Sequence, residues 1–276
     1  MEINPNSTIN QYVYQNNNDQ ALNRIATGLE LNQASDDSSG LAIANSLLAQ
    51  SSGYSQAIEN TNSAIASTQI ASSAINEQSS ILDSIKGKLL QASTDTTSQD
   101  GREALLKDIQ GQLDQFNQIA SNTNYNGQTL LQNAADDTSA TQVQQFQSGL
   151  NSEDLIETTA VQSNMQGLGL TALSSQDASS FSSSDARGFL QSVDNAINSL
   201  NDIRSEFGSV QNQLESSSRN LMSQETGTLS AASVSDTDYA KESANFSKQN
   251  IMAQIGAFSL AQGNNVNQQM VTRLLS

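Results

Sequence analysis

Apolar residues recur along this 276-residue chain at intervals of three and four, in long runs broken by short polar stretches. From Leu41 to about Ser93 the larger ones are Leu47, Tyr54, Ile58, Ile65, Ile75, Leu82, Ile85 and Leu89, spaced by 7, 4, 7, 10, 7, 3 and 4. All of these are sums of threes and fours, which is the seam of a coiled coil. A helix through this stretch would be roughly 80 Å long at about 1.5 Å per residue, with small Ala and Ser residues between the seam positions that let neighbouring helices come close.

Ahead of it, Ile3 to Leu31 shows a modest helical pattern, with Ile9, Val13, Leu22, Ile25 and Leu29 on or near one face. Pro5 is tolerated only in a first turn. The run QNNNDQ from Gln15 to Gln20 is a poor helix former, so this segment needs a partner helix. Between the two patterns lies a polar elbow. Gly28 closes the first helix, and Asn32 to Gly40 is almost all turn and cap formers before Leu41, Ile43 and Leu47 restart the apolar pattern. Asp36, Asp37, Ser38 and Ser39 are residue types that satisfy unpaired N–H groups at a helix start, and carboxylates there suit the positive end of the helix dipole.

Ser93 to Gln99 reads as a turn, after which Asp100 and Glu103 suggest a capping box. The helix it opens places Leu106, Ile109, Leu113, Phe116 and Ala120 on one side. Strand-like text is confined to Thr141–Ala160, where TQVQQFQ and LIETTAV flank a turn at Ser148 to Asp154, predicting a hairpin. The Ser-rich SSQDASSFSSS fills residues 174–184. Then comes the cleanest helical pattern: Val193, Ala196, Leu200, Ile203, Phe207, Val210, Leu214 and Leu221. A break near Ser233, with Ser235 and Asp238 as cap residues, precedes a last helix that uses Tyr239, Phe246, Ile251, Ile255, Phe258 and Leu274.

Composition narrows the function. The chain has no Trp, His or Cys, one Pro and 4% aromatics, thin material for a thick globular core. A net charge of −17 and a pI near 4.1 argue against nucleic acid, whose phosphates need a basic face, and against anionic membrane surfaces. No apolar run approaches the roughly 20 residues of a membrane span. The N-terminal MEINPNSTINQ lacks the basic and apolar regions of a cleaved signal peptide. Without His, the familiar catalytic triads, most zinc sites and the usual general base are missing. The reading is therefore of a non-enzyme with no catalytic, cofactor or metal site. The acid pairs Asp36/Asp37, Asp136/Asp137 and Asp236/Asp238 are read as caps rather than metal or catalytic dyads. Gly167-Leu168-Gly169-Leu170 lacks the Lys and the strand-to-helix setting of a nucleotide loop.

Three stretches resemble the bacterial flagellins. The first is Arg24, Gly28, Leu29, Asn32, Ala34, Asp36, Asp37 and then Gly40-Leu41-Ala42-Ile43-Ala44-Asn45, similar to that family's N-terminal signature. The second is IASNTNYNGQTLL (119–131), with its aromatic-Asn-Gly at Tyr125, Asn126 and Gly127. The third is the C-terminal text from Ser233 onward, with Asp236, Asp238, Tyr239, Ala240 and Leu260-Ala261-Gln262. Together they cover about residues 20–131 and 189–276.

The resemblance implies a mainly α fold of long antiparallel coiled-coil helices with a small β hairpin. An inner domain would form from residues 1–34 and 236–276, and a helical rod from 35–235 with its hairpin around 141–161. It also implies a subunit that polymerises into the extracellular flagellar filament, leaving the cell unprocessed through the flagellar export channel. Its partners would be further copies of itself, an export chaperone on the C-terminal helix, and the cap and hook-junction proteins. Assembly would use Ile9, Val13, Leu22, Ile25, Leu29, Phe246, Ile251, Ile255, Phe258 and Leu274. Physical reasoning agrees, because weakly apolar helices gain stability from neighbouring copies, and a non-closing head-to-tail interface gives a filament. The alternative is a hook–filament junction protein, although such proteins often carry Pro where Ser38 stands.

Three departures from the family pattern stand out. The segment before Arg24 is short, and non-Pro residues fill Val266 to Gln268, so the last helix is expected to run on unbroken. In ILDSIKGKLLQA (81–92), Ser84 stands where flagellins sensed by the Toll-like receptor of innate immunity carry Arg, and Gly87-Lys88 where they carry Glu-Leu. Weak recognition by that receptor is expected. The Ser174–Ser184 loop is a solvated tip on which O-linked glycans would have access.

Overall fold

A computed structural model describes residues 5–133, 139–233 and 236–275, with side chains placed for most of them. The pair Asp136/Asp137 and Ser235 lie outside the described residues, and the side chains of Ile9 and Leu274 lie outside the described set. The chain is α1 Pro5–Thr27, α2 Ser38–Ala92, α3 Gln99–Asn122, β1 Asn124–Tyr125, β2 Gln128–Thr129, β3 Gln145–Gln147, β4 Leu155–Glu157, α4 Thr171–Ser174, a 3-10 turn Ala178–Ser180, α5 Ser183–Ala232 and α6 Tyr239–Leu275. It divides into two compact units, Met1–Ser51 with Thr226–Ser276, and Ser52–Glu225.

The second unit holds a dry core. Leu106, Ile109, Leu113, Phe116 and Ala120 of α3 are buried as one stripe against Ile75, Leu82, Ile85 and Leu89 of α2 and Val193, Ala196, Leu200 and Phe207 of α5. Burial of this apolar surface is what makes the three helices cohere. The seam of α2 differs from the expected one along its N-terminal half. Leu47, Tyr54, Ile58 and Ile65 are only half-buried, while Ala57, Thr61, Ala64, Thr68, Ala71, Ile75 and Gln78 are buried at alternating steps of four and three. Small seam residues permit close backbone approach. The hydroxyls of Thr61 and Thr68 are satisfied inside the helix, donating to the Ala57 and Ala64 carbonyls at 2.7 and 3.1 Å. A hydrophobicity pattern cannot register a seam built this way.

Further along α2, the buried Gln78 donates through Nε2 to the carbonyls of Phe116 (3.2 Å) and Ser163 (2.9 Å), tying α3 and the 161–165 segment to α2. The Leu168-Gly169-Leu170 text buries both leucines and turns at Gly169, with φ +70. It is a core anchor.

The expected hairpin is present but short: β3 and β4 pair antiparallel with Phe146 opposite Ile156. Both residues pack on a small cluster of Ala64, Val210 and Leu214. Its loop docks by Leu150, whose Cδ2 sits where a Cβ on Gly53 would lie. Ser217 Oγ adds a 3.2 Å bond to the Ser148 carbonyl.

Two helix starts differ from expectation. At α3 the cap is Ser98, whose hydroxyl accepts from the Gly101 N–H at 3.2 Å; Asp100 lies inside the first turn and Glu103 pairs with Lys107. The reciprocal box belongs instead to α5. Ser182 and Asp185 exchange backbone and side-chain bonds, Asp185 Oδ2 accepting from Ser182 N at 2.9 Å and from Ser182 Oγ at 2.6 Å, and Ser182 Oγ accepting from Asp185 N at 3.2 Å. The hydroxyl and the backbone N–H of Ser182 hold the Asp185 carboxyl below its usual range. The 174–184 stretch is thus more ordered than a solvated loop, with α4 before it, the 3-10 turn within it and Phe181 fully buried.

Candidate functional site

The first unit is built around the elbow. α1 ends at Gly28, whose φ of +74 is the left-handed conformation in which glycine costs least. Tyr239 lies over Gly28, its hydroxyl 3.4 Å from where a Cβ would stand. An isolated antiparallel bridge joins Leu29 to Asp236, and the Thr237 N–H donates to the Gly28 carbonyl at 3.0 Å. The end of α1 is thereby joined to the start of α6.

Each carboxylate of the elbow has a separate task. Asp37 caps α2, its Oδ1 accepting from Ser39 N (2.9 Å) and Gly40 N (3.0 Å). Asp36 does not cap the helix. Its Oδ2 closes the turn by accepting from Asn32 N (3.2 Å) and Gln33 N (3.1 Å). Gly40 leaves room for the cap, since a Cβ there would meet Asp37 Oδ2 at 2.6 Å. Asp238 caps α6 in the same manner, accepting from Ala240 N and Lys241 N at 3.0 and 3.1 Å. Arg24 pairs with the nearly buried Glu242 at 3.7 Å, a partnership between α1 and α6 that the sequence reading missed and that no spacing within one helix could signal.

α1 and α6 pack together, with most of their large apolar residues left outside the contact. The buried position of α1 is Ala21, and Val13, Leu22 and Leu29 are exposed, with Ile25 half-buried. On α6 the more covered positions are Glu242, Asn245, Phe246, Gln249, Ala253 and Gly256. Ile251, Ile255 and Phe258 are 57%, 59% and 71% exposed at steps of four and three. One face of α6 therefore presents an apolar stripe to solvent, while its covered face carries small and polar groups with the single aromatic Phe246.

The remaining candidate residues lie in the second unit. Ser84 accepts a hydrogen bond from Gln112 Nε2 at 2.9 Å and Lys88 pairs with Asp108 at 3.0 Å, so both bond to α3; Gly87 is exposed, and a Cβ there would meet no neighbour. In the 174–184 stretch, the hydroxyls of Ser175, Ser179, Ser180, Ser182 and Ser183 are all hydrogen-bonded. Among the described residues no group of His, Cys, Asp and Glu is arranged to hold a metal ion, and no helix is long and apolar enough to cross a membrane.

Comparison with known proteins agrees with this architecture. Residues 2–136 match the bacterial flagellin N-terminal helical region and residues 190–275 the bacterial flagellin C-terminal helical region. A flagellin of Halalkalibacterium halodurans is 31% identical over 260 residues, covering 94% of this chain and 92% of the relative. The crystal structure of Bacillus cereus flagellin superposes with a TM-score of 0.51 at 25% identity, covering 63% of this chain and 94% of that one. A Vibrio parahaemolyticus structure assigned as a flagellar hook-associated protein superposes with a TM-score of 0.58 at 10% identity, covering 72% and 99%; at that identity the likeness is one of fold alone.

Proposed function

The chain belongs to the bacterial flagellin family, and from that premise we propose that the exposed stripe of α6, with the outer face of α1, is the surface through which one copy packs on the next. Flagellins are structural proteins, and this chain is a subunit that polymerises into the extracellular filament of the bacterial flagellum. The observation that carries the assignment of the surface is the exposure of Ile251, Ile255 and Phe258 on a helix whose opposite side already packs on α1. Three large apolar side chains in line on water are costly unless another surface covers them. Val13, Leu22, Ile25 and Leu29 on α1 complete the set, and the family resemblance adds Phe246, Ile9 and Leu274 as assembly residues.

In this reading residues 1–34 and 236–276 are the inner domain and 35–235 the rod, a functional division placed at the elbow. An export chaperone would cover the α6 stripe before assembly, and the cap and hook-junction proteins would meet the same helices at the filament ends. Export would proceed through the flagellar channel. Ser84 and Lys88 are committed to α3 side chains and Gly87 offers none, which supports weak recognition by the innate receptor; strong activation of a receptor reporter by purified monomer would refute it. Ser184 is exposed and its hydroxyl has no hydrogen-bond partner among the described residues, which makes it the best-placed serine of the 174–184 stretch for an O-linked glycan.

The test is seeded assembly. Purified monomer with short filament seeds should elongate into uniform tubes by electron microscopy, and the chain lacking Ile251–Ser276 should not. Normal elongation by the truncated chain would sink the proposal for the α6 surface.

A further inference from the structure

The hairpin of β1 and β2 has no task in assembly as described above, yet it holds the one Asn-Gly pair in the sequence. Two ladder pairs, Asn124 with Thr129 and Tyr125 with Gln128, leave Asn126 and Gly127 as a two-residue loop with φ of +51 and +82. Two consecutive positive φ values are the geometry Asn-Gly favours in a tight hairpin turn. Asn126 and Gly127 are both exposed, a Cβ on Gly127 would touch nothing, and among the described residues the Asn126 amide has no hydrogen-bond partner.

We propose that Asn126–Gly127 is the site at which this protein spontaneously deamidates and acquires isoaspartate. The Gly127 backbone nitrogen lies outside the ladder register and has no neighbouring side chain to hinder its approach. It gives up its proton to solvent base and bonds to the Asn126 side-chain carbonyl carbon. The bond from that carbon to the amide nitrogen breaks, and the nitrogen leaves as ammonia after taking up a proton. The resulting five-membered imide opens by addition of one water at either carbonyl. One opening gives aspartate; the other gives isoaspartate, with the main chain rerouted through the former side chain. No oxidant or cofactor enters the balance.

Other asparagines are held differently. The amides of Asn32, Asn124, Asn151 and Asn164 donate to Leu29 O, Asn122 O, Asp154 Oδ2 and Gln132 Oε1, and each is followed by a residue with a side chain. Most of the rest sit in helices, where the hydrogen-bonded ladder restrains the following nitrogen. The left-handed Asn126 must leave its turn conformation for the attack, and a two-pair ladder opens easily. Conversion therefore reports the opening of this hairpin. Its consequence is local: isoaspartate lengthens the loop by a backbone atom and adds a negative charge, loosening the turn that leads to the buried Leu130 and Leu131.

The experiment incubates the full-length chain in mildly alkaline buffer and follows every Asn-containing peptide by mass spectrometry, with enzymatic methylation to count isoaspartate. The 126–127 peptide should convert ahead of all others, faster in urea than in buffer. Asn126→Gly, which keeps the positive φ and removes the amide, should abolish most of the isoaspartate signal. Conversion spread evenly over the asparagine peptides, an unchanged signal in Asn126→Gly, or a site no faster in urea would each overturn the proposal.

Discussion

The two units of this chain use helices of similar type in opposite ways. In the Ser52–Glu225 unit, α3 and the facing stretches of α2 and α5 turn their large apolar residues inward, so that Phe116, Leu113, Ile85 and Leu200 are fully buried within one chain. In the other unit, the covered positions of α1 and α6 are Ala21, Phe246 and otherwise mostly small or polar residues, and Ile251, Ile255 and Phe258 turn outward. The first pattern closes a core and the second leaves one half-built. A helix pair that keeps its largest side chains in reserve has little stability of its own and the most to gain from a neighbour. That suits a subunit that holds together as a polymer.

The comparison breaks most sharply in the buried stripe. Phe116→Ala should destabilise the monomer by about 3–5 kcal/mol, the range for large aromatic truncations in a dry core, seen as a lower thermal midpoint by circular dichroism. Ala71→Leu tests the small-residue seam of α2. Extra carbons in a fully buried position should cost about 1–3 kcal/mol, whereas a seam formed by Ile58 and Ile65 instead would accept the larger residue with no loss.

Helix α5 offers a smaller effect with a pH signature. Asp185 has its carboxyl held below the usual range by Ser182, so the folded state favours its charged form. The stabilisation is fully present above the ordinary carboxylate pKa and is lost as pH falls through the lowered folded value. Asp185→Asn should therefore lower the urea midpoint at neutral pH, and the gap from the parent chain should close in acid. A gap that widens in acid would contradict the capping assignment. The smallest expected change belongs to the other unit. Ile255→Ser on the exposed face should shift monomer stability by no more than about 0.5 kcal/mol, while slowing seeded elongation strongly. A large loss of monomer stability would mean that the stripe is used within the chain after all.

Some of this was legible in the residues. The α3 stripe and the α5 pattern were readable because each is made of large apolar side chains at helical spacing, and all five α3 positions are buried. The elbow and the flagellin resemblance came from Gly, Asp and Asn in a fixed order, residue types with strong local backbone preferences. The reciprocal box at Ser182 and Asp185 was available too, as Ser followed three residues later by an acid, but it was hidden in a Ser-rich run with many such starts. The α2 seam was not legible along its first half, because Ala57, Thr61, Ala64 and Thr68 are too small or polar to mark a seam, yet all four are buried.

Local sequence determined which stretches become helices and where they start and stop, since caps, turns and periodicity act within a few residues. It also determined the acidic, histidine-free surface chemistry. Which face is buried along the first half of α2 and in α1 and α6 was decided only by the tertiary structure. Arg24 meets Glu242, Thr237 bonds to Gly28 and Leu150 fills the space over Gly53 across separations that no local preference reaches. In α6 that decision mattered most, because the same apolar spacing that would suit an internal seam is turned outward to solvent.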